Sequence, residues 1–159
     1  VSFSRTFQNR FAAVFLLLLV TAGCSPADKS GRFSIAIGNL LRSEHPAQLD
    51  LAKIDGPVWD ELYIFAPKSL REDNCKVLGL GWLECRTTMP SAVAEGEDFI
   101  VFRTKGRISS AQRHAQSNGE FAMPASQQYE FARRSNALFA VELVSPGSAN
   151  STYRLKHVL

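Results

Sequence analysis

Apolar and polar positions alternate with a period of two from Trp59 to Pro67 (WDELYIFAP), the strongest strand signature in the chain. Trp59, Glu61, Tyr63 and Phe65 point to one face, and Asp60, Leu62, Ile64 and Ala66 to the other. Both faces turn apolar in the second half, which predicts a central strand covered on both sides. Pro67 ends it. A hairpin follows over Gly96–Ser110: strand at Phe99–Thr104, a two-residue turn at Lys105-Gly106, and a return strand from Arg107. Leu138–Val144 is a further strand. Pro146-Gly147 then turns the chain into a terminal strand, Ser151–Val158, with Tyr153, Leu155 and His157 on one face and Arg154 and Lys156 on the other.

Other segments carry two periods at once. Phe33, Ile35 and Ile37 alternate like a strand, whereas Ile37, Leu40 and Leu41 fit a helical face; His45-Pro46 closes the stretch. Leu49–Ile54 reads as a strand or a strand-like lead-in to the turn Asp55-Gly56-Pro57. Ser69–Leu78 reads as a short helix with Ser69 as N-cap and Glu72 three places on, as in a capping box. Ser117-Asn118-Gly119 is a turn. Between Phe121 and Arg134, Tyr129 and Phe131 alternate, but Gln127–Arg134 also fits a helical turn. The pattern predicts a small α+β domain over residues 33–159: mainly an antiparallel sheet of five or six strands, with one or two short helices on one face.

The first 26 residues have a different character. Arg5 and Arg10 precede an apolar run of ten from Phe11 to Val20, with no acid nearby. That run is too short to span a bilayer and suits the apolar region of a signal peptide. Small residues then lead to Cys24. The order resembles the bacterial lipobox, in which the cysteine takes a diacylglycerol thioether, the preceding peptide is removed and the new N-terminus is acylated. Ala22 and Gly23 match that pattern; Thr21 stands where Leu is common. Residues 1–23 therefore read as a signal peptide, Cys24 as the lipidation site, and residues 24–32, rich in Ser, Pro, Asp, Lys and Gly, as a tether.

Removing 23 residues from 159 leaves 136, enough for one core. The whole-chain charge of +3 falls to +1, because Arg5 and Arg10 go with the leader and 16 basic side chains then face 15 acidic ones. No basic run or stripe marks a nucleic-acid partner. Cys75 and Cys85 remain, in a chain addressed to an oxidising envelope. They read as a disulfide closing a loop of about 11 residues, worth about 3 kcal/mol in loop entropy. Two free buried thiols are the alternative, and the C-x9-C spacing without clustered histidines matches no common zinc site.

From Trp59-Asp60-x-Leu62-Tyr63-Ile64-Phe65-x-Pro67, preceded by Leu49–Ile54, the chain resembles a group of uncharacterised small bacterial envelope lipoproteins. These carry a W-D-x-[LV]-Y-[IV]-F-x-P strand, then a short helix and an aromatic hairpin. The likeness is clearest over residues 49–85 and weaker over 98–110, and Lys68 stands where Tyr is usual. It implies a fold and a location, and no reaction.

Candidate chemistry is sparse. Trp59 beside Asp60 could bind a sugar or peptide, or simply cap the core and bond nearby backbone. His45, His114 and His157 fall on three predicted elements, at the surface or rim; no G-x-S-x-G, H-E-x-x-H or compact Asp/Glu/His cluster accompanies them. Glu95-Gly-Glu-Asp98 has too few ligands for a calcium loop and reads as a solvated turn. Arg103, Lys105, Arg107 and Arg113 surround the hairpin, either to meet an anionic partner or to guard an edge. No catalytic set, metal or cofactor is expected. The expected role is a lipid-anchored binding or accessory module of the bacterial envelope. Its partners are the membrane, through Cys24, and an envelope protein or ligand; Ser25 in place of Asp points to the outer membrane, facing the periplasm. The alternatives are an inhibitor or chaperone-like factor that presents the 103–107 hairpin, and an enzyme of unrecognised type.

Overall fold

Phe33, Ile37 and Leu41, spaced four apart, settle the ambiguous first segment as a helix. In the computed structural model, which describes residues 30–145 and 152–158, α1 runs over Arg32–Glu44 and buries these three with Ser34 and Gly38. The strand-like alternation fails at Ile35, which lies on the exposed side. Gly31 at the N-cap has no side chain to offer, and Gln112 substitutes for it: its Oε1 accepts from the Phe33 N–H at 3.3 Å, from 79 residues away. Gly38 is tolerated mid-helix because Asn118 occupies the space a Cβ would need. Cys24 and the signal-peptide reading lie outside the described residues; within the expected tether, Arg32 already belongs to α1.

The lead-in at 49–54 divides. Gln48–Asp50 is strand β1, and Leu51–Lys53 is a 3₁₀ turn because the Asp50 carboxylate accepts from Ala52 N–H at 3.0 Å. Strand β2 is Glu61–Phe65. Helix α2 is Arg71–Leu78, one residue later than a Ser69 cap requires. The capping box does not form: Leu70 holds the N-cap position, while Ser69 is buried and its Oγ accepts from Asn74 Nδ2 at 3.0 Å. After Gly79, at φ +65°, the chain forms a third helix, α3 over Trp82–Thr88, which the pattern did not suggest. Strands β3 (Glu97–Thr104) and β4 (Arg107–Ala115) make the hairpin, turning on Lys105 and Gly106 at φ +51° and +74°. Then come β5 (Glu120–Phe121), β6 (Tyr129–Arg133), a 3₁₀ turn at Arg134–Asn136, β7 (Leu138–Leu143) and β8 (Tyr153–His157). The Pro146-Gly147 turn lies outside the described residues.

The class is α+β and mostly antiparallel, as the pattern predicts, but the strands divide into two sheets of four. One has the order β4-β3-β2-β6; the other is β1-β7-β8-β5, with only β5 and β8 parallel. The first sheet is covered on both faces. Leu62, Ile64, Ile100 and Phe102 meet the second sheet and α1, forming a cluster with Phe33, Trp59, Phe139 and Leu155. Phe65, Phe99 and Val101 point the other way, against Cys75, Leu78, Cys85 and Met89 of the α2–α3 layer. The alternation along Trp59–Pro67 thus feeds two separate cores, and the helices lie on both faces, not one.

Candidate functional site

The hairpin and the Trp59-Asp60 pair come together at one end of the first sheet. Asp60 N–H donates to Arg103 O at 2.7 Å, Asp60 O accepts from Arg134 N–H at 2.9 Å, and Asp60 Oδ2 accepts from Lys105 N–H at 2.7 Å. One residue therefore ties β2, the hairpin tip and the segment after β6. Val58 O accepts from Thr104 Oγ1 at 2.8 Å and from Ser109 Oγ at 3.0 Å, strapping the same hairpin from its other side. Arg103 donates to Gly106 O, ion-pairs with Glu61 at 3.7 Å and lies over the Tyr63 ring at 5.8 Å. Trp59 is buried, packs on Phe102 at 6.1 Å between centroids and carries the Arg134 guanidinium over its ring at 5.4 Å. Its indole faces the core and no sugar could stack on it. Arg107, Lys105 and Gly106 are exposed on a tip that is braced from three directions.

The histidines are elsewhere, and two of the three depart from a surface or rim position. His45 is exposed and ends α1 in the left-handed region, at φ +46°. His114 is fully buried, with Nε2 at 2.6 Å from Gly119 O; a carbonyl only accepts, so that nitrogen carries the proton. His157 bridges the sheets: Nδ1 lies 2.9 Å from Glu130 Oε1 and Nε2 lies 2.7 Å from Asn136 O. Asn136 O only accepts, so Nε2 carries a proton. The ring thus joins β6 and the turn after it to β8 at a buried position.

Asp98 was expected in a solvated turn, and it is buried. It belongs to β3, on the face it shares with Ile100 and Phe102, opposite His114. Burial pushes its carboxyl up to about 7, helped by the negative charge of Glu120 and opposed by the Gln116 and Phe121 N–H groups. Gln116 Nε2 donates to Oδ1 at 3.2 Å. Glu95, in contrast, is an exposed partner of Lys68 at 3.0 Å. Among the described residues, no group of three or more His, Cys, Asp or Glu side chains is placed to hold a metal.

Cys75 and Cys85 are bridged, with Cα atoms 5.7 Å apart, and the bond joins α2 to α3. Neither sulfur is left as a free thiol. Two hollows flank α1. One, about 640 Å³, lies between its first turn, the Asp55–Pro57 loop and Ser110 and Gln112 of β4. The other, about 530 Å³, continues toward Leu40, Pro46 and Lys53. Ala36 and Asp55 line both, so they form one groove along the helix. None of Asp60, His114 and His157 lines it. The groove was not visible in the pattern, because Arg32, Ala36 and Asp55 carry no signal until the helix and loop face each other.

No protein-family model, curated protein or solved structure matches this chain.

Proposed function

We propose that this chain is a lipid-anchored accessory domain of the bacterial cell envelope, facing the periplasm from the outer membrane. The observation that carries the reading is the distribution of three cysteines. Cys75 and Cys85 are consumed by a disulfide, which suits an oxidising compartment. Cys24 is left over, directly after Ala22-Gly23 and an apolar run of ten. The α1 groove and the hairpin tip supply surface for a partner, while the buried histidines and the inward-facing Trp59 supply no catalytic constellation. The anchor keeps the domain concentrated where its partner resides.

A second reading has a specific observation behind it. The 103–107 hairpin is exposed, basic and braced through Asp60, Val58 and Arg103, the stiffness expected of a loop that plugs another protein's cleft.

Feeding cells a clickable fatty acid tests the anchor. Wild-type protein should be labelled and Cys24→Ser should not; equal labelling of both contradicts the reading. Finding labelled protein only in inner-membrane fractions would contradict the outer-membrane placement.

A further inference from the structure

We infer that the α2–α3 corner is a second membrane contact, a short apolar prong that docks into a zwitterionic bilayer surface beside the lipid anchor; this rests on the anchor proposed above. Trp82 and Leu83, adjacent in the first turn of α3, are 71% and 67% exposed. Val77, two residues before Gly79 in α2, is also 36% exposed. Trp82 is a different case from Trp59: it is mostly exposed, and the Arg86 guanidinium lies over its ring at 5.2 Å. An indole flanked by a guanidinium is the combination that settles at headgroup depth.

The corner is built to project and to stay put. A Cβ added at Gly79 or Gly81 would meet nothing within 4 Å, so the two glycines face open space while Leu80 between them packs inward. Behind it, the Cys75–Cys85 bond joins the two helices.

Placement argues for the membrane as the occupant. Ser30 follows Cys24 by six residues, at most about 20 Å of extended chain, so an anchored domain rests at the bilayer surface. The described chain enters the fold on β4, where Gly31 N–H donates to Arg113 O. Leu80, within the corner, shares an apolar cluster with Ile108 and Ala111 of that same strand. The helices' charges balance, with Arg71, Lys76 and Arg86 against Glu72, Asp73 and Glu84. Docking is therefore driven by the apolar and aromatic groups and needs no anionic lipid.

The lipidated protein, reconstituted into phosphatidylcholine vesicles with and without brominated acyl chains, tests this. Trp59 is buried and gives a constant background, which Trp82→Phe reports alone. The bromolipid should remove much of the Trp82 emission, because an indole at headgroup level lies against the acyl chains. Leu83→Asp should restore emission without changing fatty-acid labelling of Cys24, and 0.5 M salt should leave the quenching in place, a concentration at which the Debye length is only about 4 Å. Unquenched Trp82 emitting as a water-exposed indole, on protein whose Cys24 is labelled, overturns the docking and leaves the anchor standing; a protein pocket would then be the occupant. Quenching that persists in Cys24→Ser at high vesicle concentration supports the docking even if the anchor fails.

Discussion

The two faces of the β4-β3-β2-β6 sheet are closed by different means. On one face, Leu62, Ile64, Ile100 and Phe102 disappear beneath a second sheet and α1, with Trp59, Phe33, Phe139 and Leu155 filling the layer. On the other, Phe65, Phe99 and Val101 are covered by two helices of eight and seven residues, too short to be stable alone, and a disulfide joins them. The first core is wide and contains buried polar residues fixed by hydrogen bonds; the second is small and held by a covalent link. The difference teaches that an apolar strand face does not say what covers it. Where burial is generous, packing suffices, and where it is thin a cross-link supplies the rest.

The largest effect should come from the wide core. Phe102→Ala removes a ring that meets Phe33 at 5.0 Å and Trp59 at 6.1 Å, and should cost about 3–5 kcal/mol in urea melts. His157→Ala should cost less, about 1–3 kcal/mol, because it leaves Asn136 O and Glu130 Oε1 without their ring partner. A wild-type melt for Phe102→Ala would mean that the second sheet, not the first, dominates stability.

Next is the pH dependence of the same core. Asp98 holds its proton in the folded state up to about 7, while in the unfolded chain it ionises near 3.8. The folded state therefore binds the extra proton in between, and stability should fall as pH rises from about 4 to about 7, by about 4 kcal/mol from this group, then level off. Asp98→Asn should flatten that slope. An unchanged slope in the variant would show that the carboxylate is solvated.

The narrow core should respond to reduction more mildly. The bridge spans a sequence separation of 10, so losing it should cost about 3 kcal/mol by loop entropy. Hydrogen exchange should rise in 71–88 while β7 and β8 stay protected. Loss of protection throughout would mean that the two cores unfold as one. Trp82→Ala should be smallest, within about 0.5 kcal/mol, since the side chain is mostly exposed.

Much of this contrast was legible in the chain. The alternation assigned Leu62 and Ile64 to one face and Tyr63 and Phe65 to the other, as the two clusters show, but Trp59, expected beside Tyr63 and Phe65, precedes the strand at Glu61 and packs in the Leu62–Ile64 cluster instead. The Lys105-Gly106 turn, the β7 and β8 strands and the face shared by Tyr153, Leu155 and His157 also follow from local pattern. What stayed hidden depends on contacts far apart in sequence. Starting the hairpin strand at Phe99 left Asp98 in a turn; two residues more of β3, from Glu97, would have put it on the core face with Ile100 and Phe102. Ser69 looked like a cap because its spacing to Glu72 is right, yet burial drew it to Asn74 instead. The α1 N-terminus is served by Gln112, which no local window contains. The number of sheets was equally hidden, since alternation reports two faces and not what lies across them.

The central proposal is that the three cysteines have two fixed fates: one lipid anchor and one bridge. Intact-mass analysis of the protein extracted from membranes, alkylated without reductant and again after reduction, reads all three at once. The account predicts a chain beginning at Cys24 and carrying its lipid, with no alkylated cysteine before reduction and two, Cys75 and Cys85, after it. An alkylated Cys24 on a chain that retains its leader, or two alkylated cysteines before reduction, would contradict it.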